Sequence, residues 1–156
     1  MRKAFWNKKK PSKIKKNDSI EIKVEKPPIW NDVCAAFNIN PQAYFTYGEV
    51  IYNPSDLPVP PDIIEHEKVH IKQQKADGMT PELWWGKYLR DPQFRVEQEA
   101  KAYGRQYQFI CYHNKDRNAQ SHLLIELANS LSGPLYNNVI SQSEAMTLIR
   151  KYAGVK

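Results

Sequence analysis

His66 and His70 lie four residues apart in the stretch IIEHEKVHIKQQ, close to the middle of a 156-residue chain. If this stretch is helical, residues i and i+4 share one face, so both imidazoles could bind a single metal ion. Glu67 would be rotated by about 100° from His66. It could then reach a water molecule at the metal without being a ligand. Two imidazole ligands beside a general base are the groups that metal-assisted hydrolysis requires.

The alternative interpretation of this stretch is a polar helix face that carries two histidines by coincidence. In a chain of this composition, the pattern HExxH is expected by chance in about 0.6% of sequences. The residues around it also make the helix largely apolar: Ile63, Ile64, Val69 and Ile71. Half of the four histidines fall within these five positions. The sequence therefore favours a metal site.

A tetrahedral catalytic zinc site needs a third protein ligand before water takes the open position. The spacing HExxHxxGxxH is absent, because residue 76 is alanine, so the third ligand must come from another helix. Glu97 and Glu99 in RVEQEAKAYGRQY are the candidates.

Helical periodicity separates these two glutamates, because it predicts one buried and one solvated face for their helix. Glu99 falls with the set Val96, Ala100, Tyr103, Tyr107 and Ile110, and Glu97 with the set Gln93, Lys101, Gly104 and Gln108. A buried carboxylate is costly unless a cation compensates for it. We therefore predict Glu99 as the third ligand, with Glu97 as the alternative.

Periodicity and capping signals also predict the elements that position these residues. A strand is predicted over residues 20–26, and a strand or hairpin that turns around Tyr47-Gly48 over residues 43–53. Six helices are predicted. The first is short and capped by Asn31 or Asp32, the second runs from Pro61-Asp62 to about Ala76, and the third is opened by Thr80-Pro81. The fourth runs from Asp91-Pro92 to Tyr112, the fifth from Asn114 or Asp116 to Gly133-Pro134, and the last is opened by a capping box at Ser141 and Glu144. The expected fold class is α+β, mainly helical with a small N-terminal sheet.

Positive charge is concentrated at the N-terminus. Residues 1–17 carry eight lysines and arginines and no acidic residue, whereas the whole chain has a formal net charge of +6. We therefore predict a basic flexible arm at residues 1–18 and one domain at residues 19–156. The arm could contact nucleic acid or an acidic protein surface, or remain a solvated tail.

The compartment and the cysteines can also be interpreted from the sequence. No apolar run approaches the roughly 20 residues of a membrane span. No apolar signal region follows the basic N-terminus, so we expect a cytoplasmic protein without membrane contact. Cys34 and Cys111 give no disulfide framework and lie among apolar residues, which predicts two buried thiols.

The chain resembles the gluzincin metallopeptidases, which carry HExxH on one helix and a glutamate ligand on a later one, often as ExxAD. Here Glu99 and Ala102 match that motif, and Tyr103 replaces its aspartate, which in the family orients a ligand histidine. A tyrosine hydroxyl could serve the same end. The chain is also similar, over roughly residues 42–107, to small zincin-like proteins of phages and bacteria that share HExxHxxQ, where Gln73 is the matching glutamine.

The resemblance implies a compact zincin-like (minigluzincin-like) domain that binds Zn²⁺ through His66, His70 and Glu99. Its expected activity is peptide hydrolysis with Glu67 as the general base. The substrate would be a peptide or protein whose backbone pairs with the strand at residues 43–53. Three side chains are candidates for assisting at the oxyanion: Tyr103, Tyr107 and His113.

Two other interpretations stay open. One is a non-catalytic zincin fold used as a structural or assembly protein, for example within a phage virion. The other is a nucleic-acid-associated protein that acts through its basic arm, although the arm carries no recognised binding fold. The presence of Glu67, which a purely structural zincin would not need, favours the enzyme.

Overall fold

Helices make up most of the structure, and a small sheet lies near the N-terminus. The computed structural model describes residues 19–155, so the arm predicted over residues 1–18 lies outside the described residues. The elements are β1 (Glu21–Lys23), α1 (Trp30–Ala36), β2 (Phe45–Tyr47), β3 (Val50–Tyr52), α2 (Pro61–Gln74), α3 (Pro81–Arg90), α4 (Pro92–His113), α5 (Arg117–Leu131), a 3₁₀ turn (Pro134–Tyr136) and α6 (Gln142–Ala153). The predicted α+β class, mainly helical with a small sheet, is confirmed. Within residues 19–155, no helix is long and apolar enough to cross a membrane.

The sheet has three short strands in the order β1-β3-β2. β1 is parallel to β3, and β2 is antiparallel to it. The hairpin predicted around Tyr47-Gly48 is confirmed. Its turn needs glycine because Gly48 has a φ of +62°. The strand predicted over residues 20–26 is shorter than expected, because β1 ends at Lys23, and Val24 beyond it is exposed.

Side-chain caps begin four of the helices where the sequence predicts them. The caps are Thr80 for α3, Asp91 for α4, Asp116 for α5 and the Ser141–Glu144 capping box for α6. The prediction for α1 is wrong, because this helix begins at Trp30 and no side chain caps it. The Trp30 N–H instead donates to the Pro27 carbonyl at 3.0 Å, so the turn at Pro27-Pro28 starts the helix before Asn31 is reached.

The buried apolar residues form two clusters. The first cluster joins α1, the hairpin and α3: Ile29, Val33, Phe45, Tyr52, Trp84, Trp85 and Tyr88. The second cluster joins α4, α5 and α6 around Leu124, Leu127, Leu131 and Ile149. Long α4 contacts both groups of helices and also packs along α2. The residues singled out for chemistry lie where α2 and α4 meet.

At Gly104, α4 and α6 approach each other closely. A Cβ atom added to Gly104 would lie 2.5 Å from the Cβ of Tyr152, closer than real Cβ atoms come. The prediction that Gly104 lies on a solvated face of α4 is therefore wrong. Periodicity counted glycine with the polar residues, whereas here the missing side chain is what allows two helices to touch.

The prediction of two buried thiols is also wrong. Cys34 is exposed and Cys111 is half-buried, and both are free. Cys34 lies on the outer side of α1, where only Val33 is buried. Apolar neighbours in sequence did not indicate burial here because α1 is a seven-residue helix with a single buried position.

Candidate metal centre

α2 carries His66, Glu67 and His70, and all three side chains are buried. The helix begins with Pro61 at its first turn, and the HExxH segment follows in regular helical geometry. The Nε2 atoms of His66 and His70 are 3.2 Å apart. The i and i+4 positions therefore bring the two imidazoles to one point, as a shared ion would require.

α4 brings Glu99 to the same point. Its Oε2 lies 3.1 Å from Nε2 of His66, and its Oε1 lies 3.5 Å from Nε2 of His70. Glu97 is exposed on the other side of the helix and pairs with Lys101 at 3.0 Å. Of the two glutamates left open by the sequence, the structure thus places Glu99, and not Glu97, against the histidines.

The three side chains fit a metal ion in chemistry and in spacing. In a tetrahedral zinc site with bonds of about 2.0–2.1 Å, neighbouring ligand atoms lie about 3.3 Å apart. Nε2 of His66 lies 3.2 Å from Nε2 of His70 and 3.1 Å from Oε2 of Glu99, both close to that value, and one ligand atom from each of the three residues lies within 4.8 Å of the others. Two imidazoles and one carboxylate are a donor set that zinc accepts. The structure thus contains a buried His-His-Glu group that could bind a metal ion.

Without a metal ion, Glu99 and His70 are held as a buried ion pair. Burial by itself would raise the pKa of Glu99, but the charge of His70, followed by hydrogen bonds with His66 and His70, holds it well below its usual range. Burial would likewise lower the pKa of His70, yet the charge and hydrogen bond of Glu99 raise it to about 9. Within the described residues 19–155, the only ion-pair partners of Glu99 are these two histidines. A metal ion would therefore replace a proton that this site now holds.

Two glutamine side chains orient the histidines. Oε1 of Gln106 lies 3.1 Å from Nδ1 of His66, and Oε1 of Gln73 lies 2.8 Å from Nδ1 of His70. The amide nitrogen of Gln106 donates to Asp62, and that of Gln73 donates to the Gln98 carbonyl. Both amides are thus fixed with their oxygens toward the imidazoles, which requires a proton on each Nδ1. Each Nε2 then keeps its lone pair for a metal.

Gln106 was not identified by the sequence analysis. A usable signal was present, because Gln106 follows Glu99 by seven residues, or two helical turns, and so shares its face. Tyr103 packs edge-on against the ring of His66, with centroids 4.8 Å apart, while Gln106 contacts the ring nitrogen.

Of the three oxyanion candidates, only Tyr103 contacts a ring of the metal group. Tyr107 packs in the second cluster, where burial, followed by its hydrogen bond with Cys111, raises its pKa to about 12. His113 ends α4, with Nδ1 2.9 Å from the Phe109 carbonyl. His113 lines the same cavity as the His-His-Glu group without contacting its rings, whereas Tyr107 is not among the described residues of the cavity wall.

Tyr88 holds one oxygen of Glu99. Its hydroxyl donates to Oε1 at 2.6 Å, and its ring stacks on Trp84 with centroids 4.9 Å apart. Burial, and then the charge of Glu99, raise the pKa of Tyr88 well above its ordinary value, so it stays a donor. Tyr88 is not among the site residues predicted from the sequence. Its hydrogen bond leaves Oε2 as the oxygen that faces His66.

Thr46 of β2 holds Glu67 in a similar way. Its hydroxyl donates to Glu67 Oε2 at 2.6 Å. The Thr46 carbonyl in turn accepts from Gln74 and from the Trp85 indole, each at 2.9 Å. These two hydrogen bonds hold the backbone of Thr46 in place. Because Thr46 bonds to Oε2, the other carboxylate oxygen of Glu67, Oε1, is left for a further partner.

The open edge of β2 is partly covered by Gln74. Its side-chain oxygen accepts from the Gly48 N–H at 2.7 Å, and its nitrogen donates to the Thr46 carbonyl. One glutamine thus bonds to the backbone as a neighbouring strand would. If a substrate strand pairs with this edge, as the resemblance implies, it must do so before residue 46.

The metal group lies in the wall of a large cavity of about 830 Å³. The cavity also contains Glu67, and its walls come from both apolar clusters. Its volume is within the range of about 300–1,000 Å³ that is usual for small-molecule sites. Substrate-sized molecules therefore have room beside Glu67 and the histidines.

Comparisons of the chain with protein-family models, with curated proteins and with solved structures find no match.

Proposed function

We propose that this protein is a zinc-dependent peptidase with a zincin-like site. The observation that carries the proposal is the arrangement of His66, His70 and Glu99 at metal-ligand separations beside a buried glutamate, in one cavity. Glu67 follows His66 directly, so the helix places it next to the ion without making it a ligand. Peptide-bond hydrolysis is the reaction that this combination performs in the gluzincins that the sequence resembles.

The roles of the residues follow from their contacts. A zinc ion held by the two histidines and Glu99 would supply Lewis acidity to a carbonyl group and to water. Glu67 would take the proton of the attacking water through its free oxygen and pass it to the leaving amine. Thr46 keeps that carboxylate in place, while Gln73 and Gln106 keep the imidazole lone pairs directed to the ion.

The test combines metal content with cleavage of peptides. Purified protein should hold about one equivalent of zinc by elemental analysis. Zinc-loaded protein should cut components of a proteome-derived peptide mixture, read by mass spectrometry. The Glu67→Gln variant should keep its zinc and lose the cleavages, because only the proton acceptor is removed, slowing the chemical step by roughly 10²–10⁴-fold.

A matched control is Glu65→Gln, which changes a glutamate on the same helix that pairs with Arg105 and Lys68 rather than with the site. This variant should keep both zinc and activity. Protein that takes up no zinc at neutral pH would contradict the metal assignment. Zinc-loaded protein that cuts nothing would favour the structural or assembly role.

A further inference from the structure

The cavity around the metal group has apolar residues in two separate parts of its wall. Val33, Phe37, Ile39 and Phe45 contribute from α1 and the segment that leads into β2. Ile110 and Leu123 contribute from α4 and α5. The His-His-Glu group belongs to the α2–α4 contact between these elements. A bound polypeptide would therefore place apolar side chains on either side of the reacting bond.

The charges on the cavity wall have one sign. Among the described residues that line it, the ionised side chains other than histidine are Asp62, Glu67 and Glu99, and none is lysine or arginine. Each of the three carboxylates already has a partner inside the protein: Gln106, Thr46 and Tyr88 respectively. Among the described lining residues, an anionic group of a substrate would thus meet three carboxylates and no lysine or arginine, so the proposed zinc ion and the histidines are the only cations that could compensate it.

The buried guanidinium of Arg95 is bound to other groups. Arg95 is 2% exposed, and it donates to the carbonyls of Tyr88 and Leu135 and to the Asn137 side chain. Arg105, beside Gln106 on α4, pairs with Glu65. Neither guanidinium lines the cavity, so neither is placed to receive a substrate carboxylate.

We infer that the substrates are internal, apolar segments of polypeptide, cut with large apolar side chains on both sides of the bond. This inference rests on the proposed function and adds its substrate class. Within residues 19–155 the wall offers no lysine or arginine to pair with a C-terminal carboxylate, so we expect the enzyme to cut inside a chain rather than to remove residues from its C-terminus. Acidic side chains next to the scissile bond are rejected for the same electrostatic reason.

The experiment uses zinc-loaded full-length protein and three synthetic peptides built on the best cleavage site found in the mixture. The first is acetylated and amidated, with leucine or phenylalanine on both sides of the bond. The second carries glutamate at those two positions. The third equals the first but ends in a free carboxylate one residue after the bond. We expect kcat/KM for the first peptide to exceed the others by at least about tenfold.

A charge placed in the cavity should shift this preference. Ile39 lines the cavity and Ile125 is 41% exposed outside it, so Ile39→Lys and Ile125→Lys form a matched pair. Ile39→Lys should reduce the preference for the first peptide over the second by about tenfold. Ile125→Lys should leave it unchanged. Zinc content and melting temperature show that each variant is folded, and the wild-type series alone decides the inference if Ile39→Lys is unstable.

Two outcomes distinguish a failure of the inferred substrate class from a failure of the proposed peptidase function. Cleavage that prefers glutamate, or that requires a free terminus, would overturn the substrate class and leave the peptidase intact. Absence of cleavage of every peptide and of the whole mixture by zinc-loaded protein would overturn both.

Discussion

The two sides of α2 hold their carboxylates differently. Toward α4, Glu99 is bound by two imidazoles and by Tyr88, and two glutamines fix the imidazoles in turn. Toward β2, the hydroxyl of Thr46 is the one hydrogen-bond donor to the Glu67 carboxylate within residues 19–155. The first region therefore has the contacts to hold a cation, and the second leaves one carboxylate oxygen open. Metal binding and proton transfer should be separable by mutation, since different elements support them.

The strongest test of this separation removes the carboxylate on the α4 side. Glu99→Ala should abolish retention of zinc, because two histidines alone leave a tetrahedral site short of one protein ligand. Glu97→Ala is the matched control on the same helix, and it should purify with the wild-type zinc content. Elemental analysis after dialysis measures both. Equal retention in the two variants would contradict the assignment of Glu99.

A smaller effect is expected when a residue that orients a ligand is changed. Gln106→Leu removes the acceptor for Nδ1 of His66 and should weaken zinc affinity by about 10–100-fold, as is usual for such partners. Gln108→Leu, on the exposed side of α4, should leave the affinity unchanged. Competition with a zinc chelator of known affinity gives both values. An unchanged affinity in Gln106→Leu would show that the imidazole is held by packing alone.

On the β2 side, Thr46→Val should lower kcat without releasing zinc. Valine keeps the shape of the side chain but cannot donate to Glu67, and a hydrogen bond to a charged group is worth about 1.5–3 kcal/mol. We expect a loss in kcat of about tenfold, with KM little changed. Thr46→Ser restores a hydroxyl and should recover most of the activity. A parallel loss of zinc in Thr46→Val would mean that the two sides of α2 are coupled.

The sequence predicts some of these residues far better than others. The histidine pair and Glu99 are defined by spacing within single helices, so helical periodicity was enough to indicate them. Thr46 and Tyr88 lie 21 and 11 residues from the carboxylates they bind, and only the packing of β2 and α3 brings them there. The cap of α1 and the burial of Gly104 were wrongly predicted for a related reason. In both cases a contact with a neighbouring segment decided the local structure.

Sequence similarity adds nothing that would have found the missing residues, because no related protein or structure is matched. The role of Gln74 illustrates the limit. Its side chain is almost completely buried and bonds to the hairpin backbone, although in sequence it is one of two adjacent glutamines at the end of a polar stretch. A buried amide is stable there because both of its polar atoms are bonded.

The smallest expected effect concerns the stability of the metal-free protein. The pKa of His70 is raised to about 9 from its ordinary 6.5, so the ion pair with Glu99 stabilises the fold fully below pH 6.5 and is lost as the pH rises through 9. The pKa of Glu99 is lowered, so its contribution is present above pH 4.5 and is lost only at strongly acidic pH. Both contributions are therefore complete between about pH 4.5 and 6.5.

Denaturant unfolding in the presence of EDTA should show the loss of the His70 contribution as the pH rises. The free energy of unfolding should fall by the order of 2–3 kcal/mol between pH 6.5 and 9, given 1.36 kcal/mol for each pKa unit. Subtracting the same measurement on His70→Gln removes the contributions of other titrating groups. Zinc should act in the opposite direction, because it binds neutral imidazole, and the stabilisation it adds should grow as the pH rises. If the stability of the metal-free protein, relative to that of His70→Gln, is constant or increases over this interval, His70 does not hold a proton.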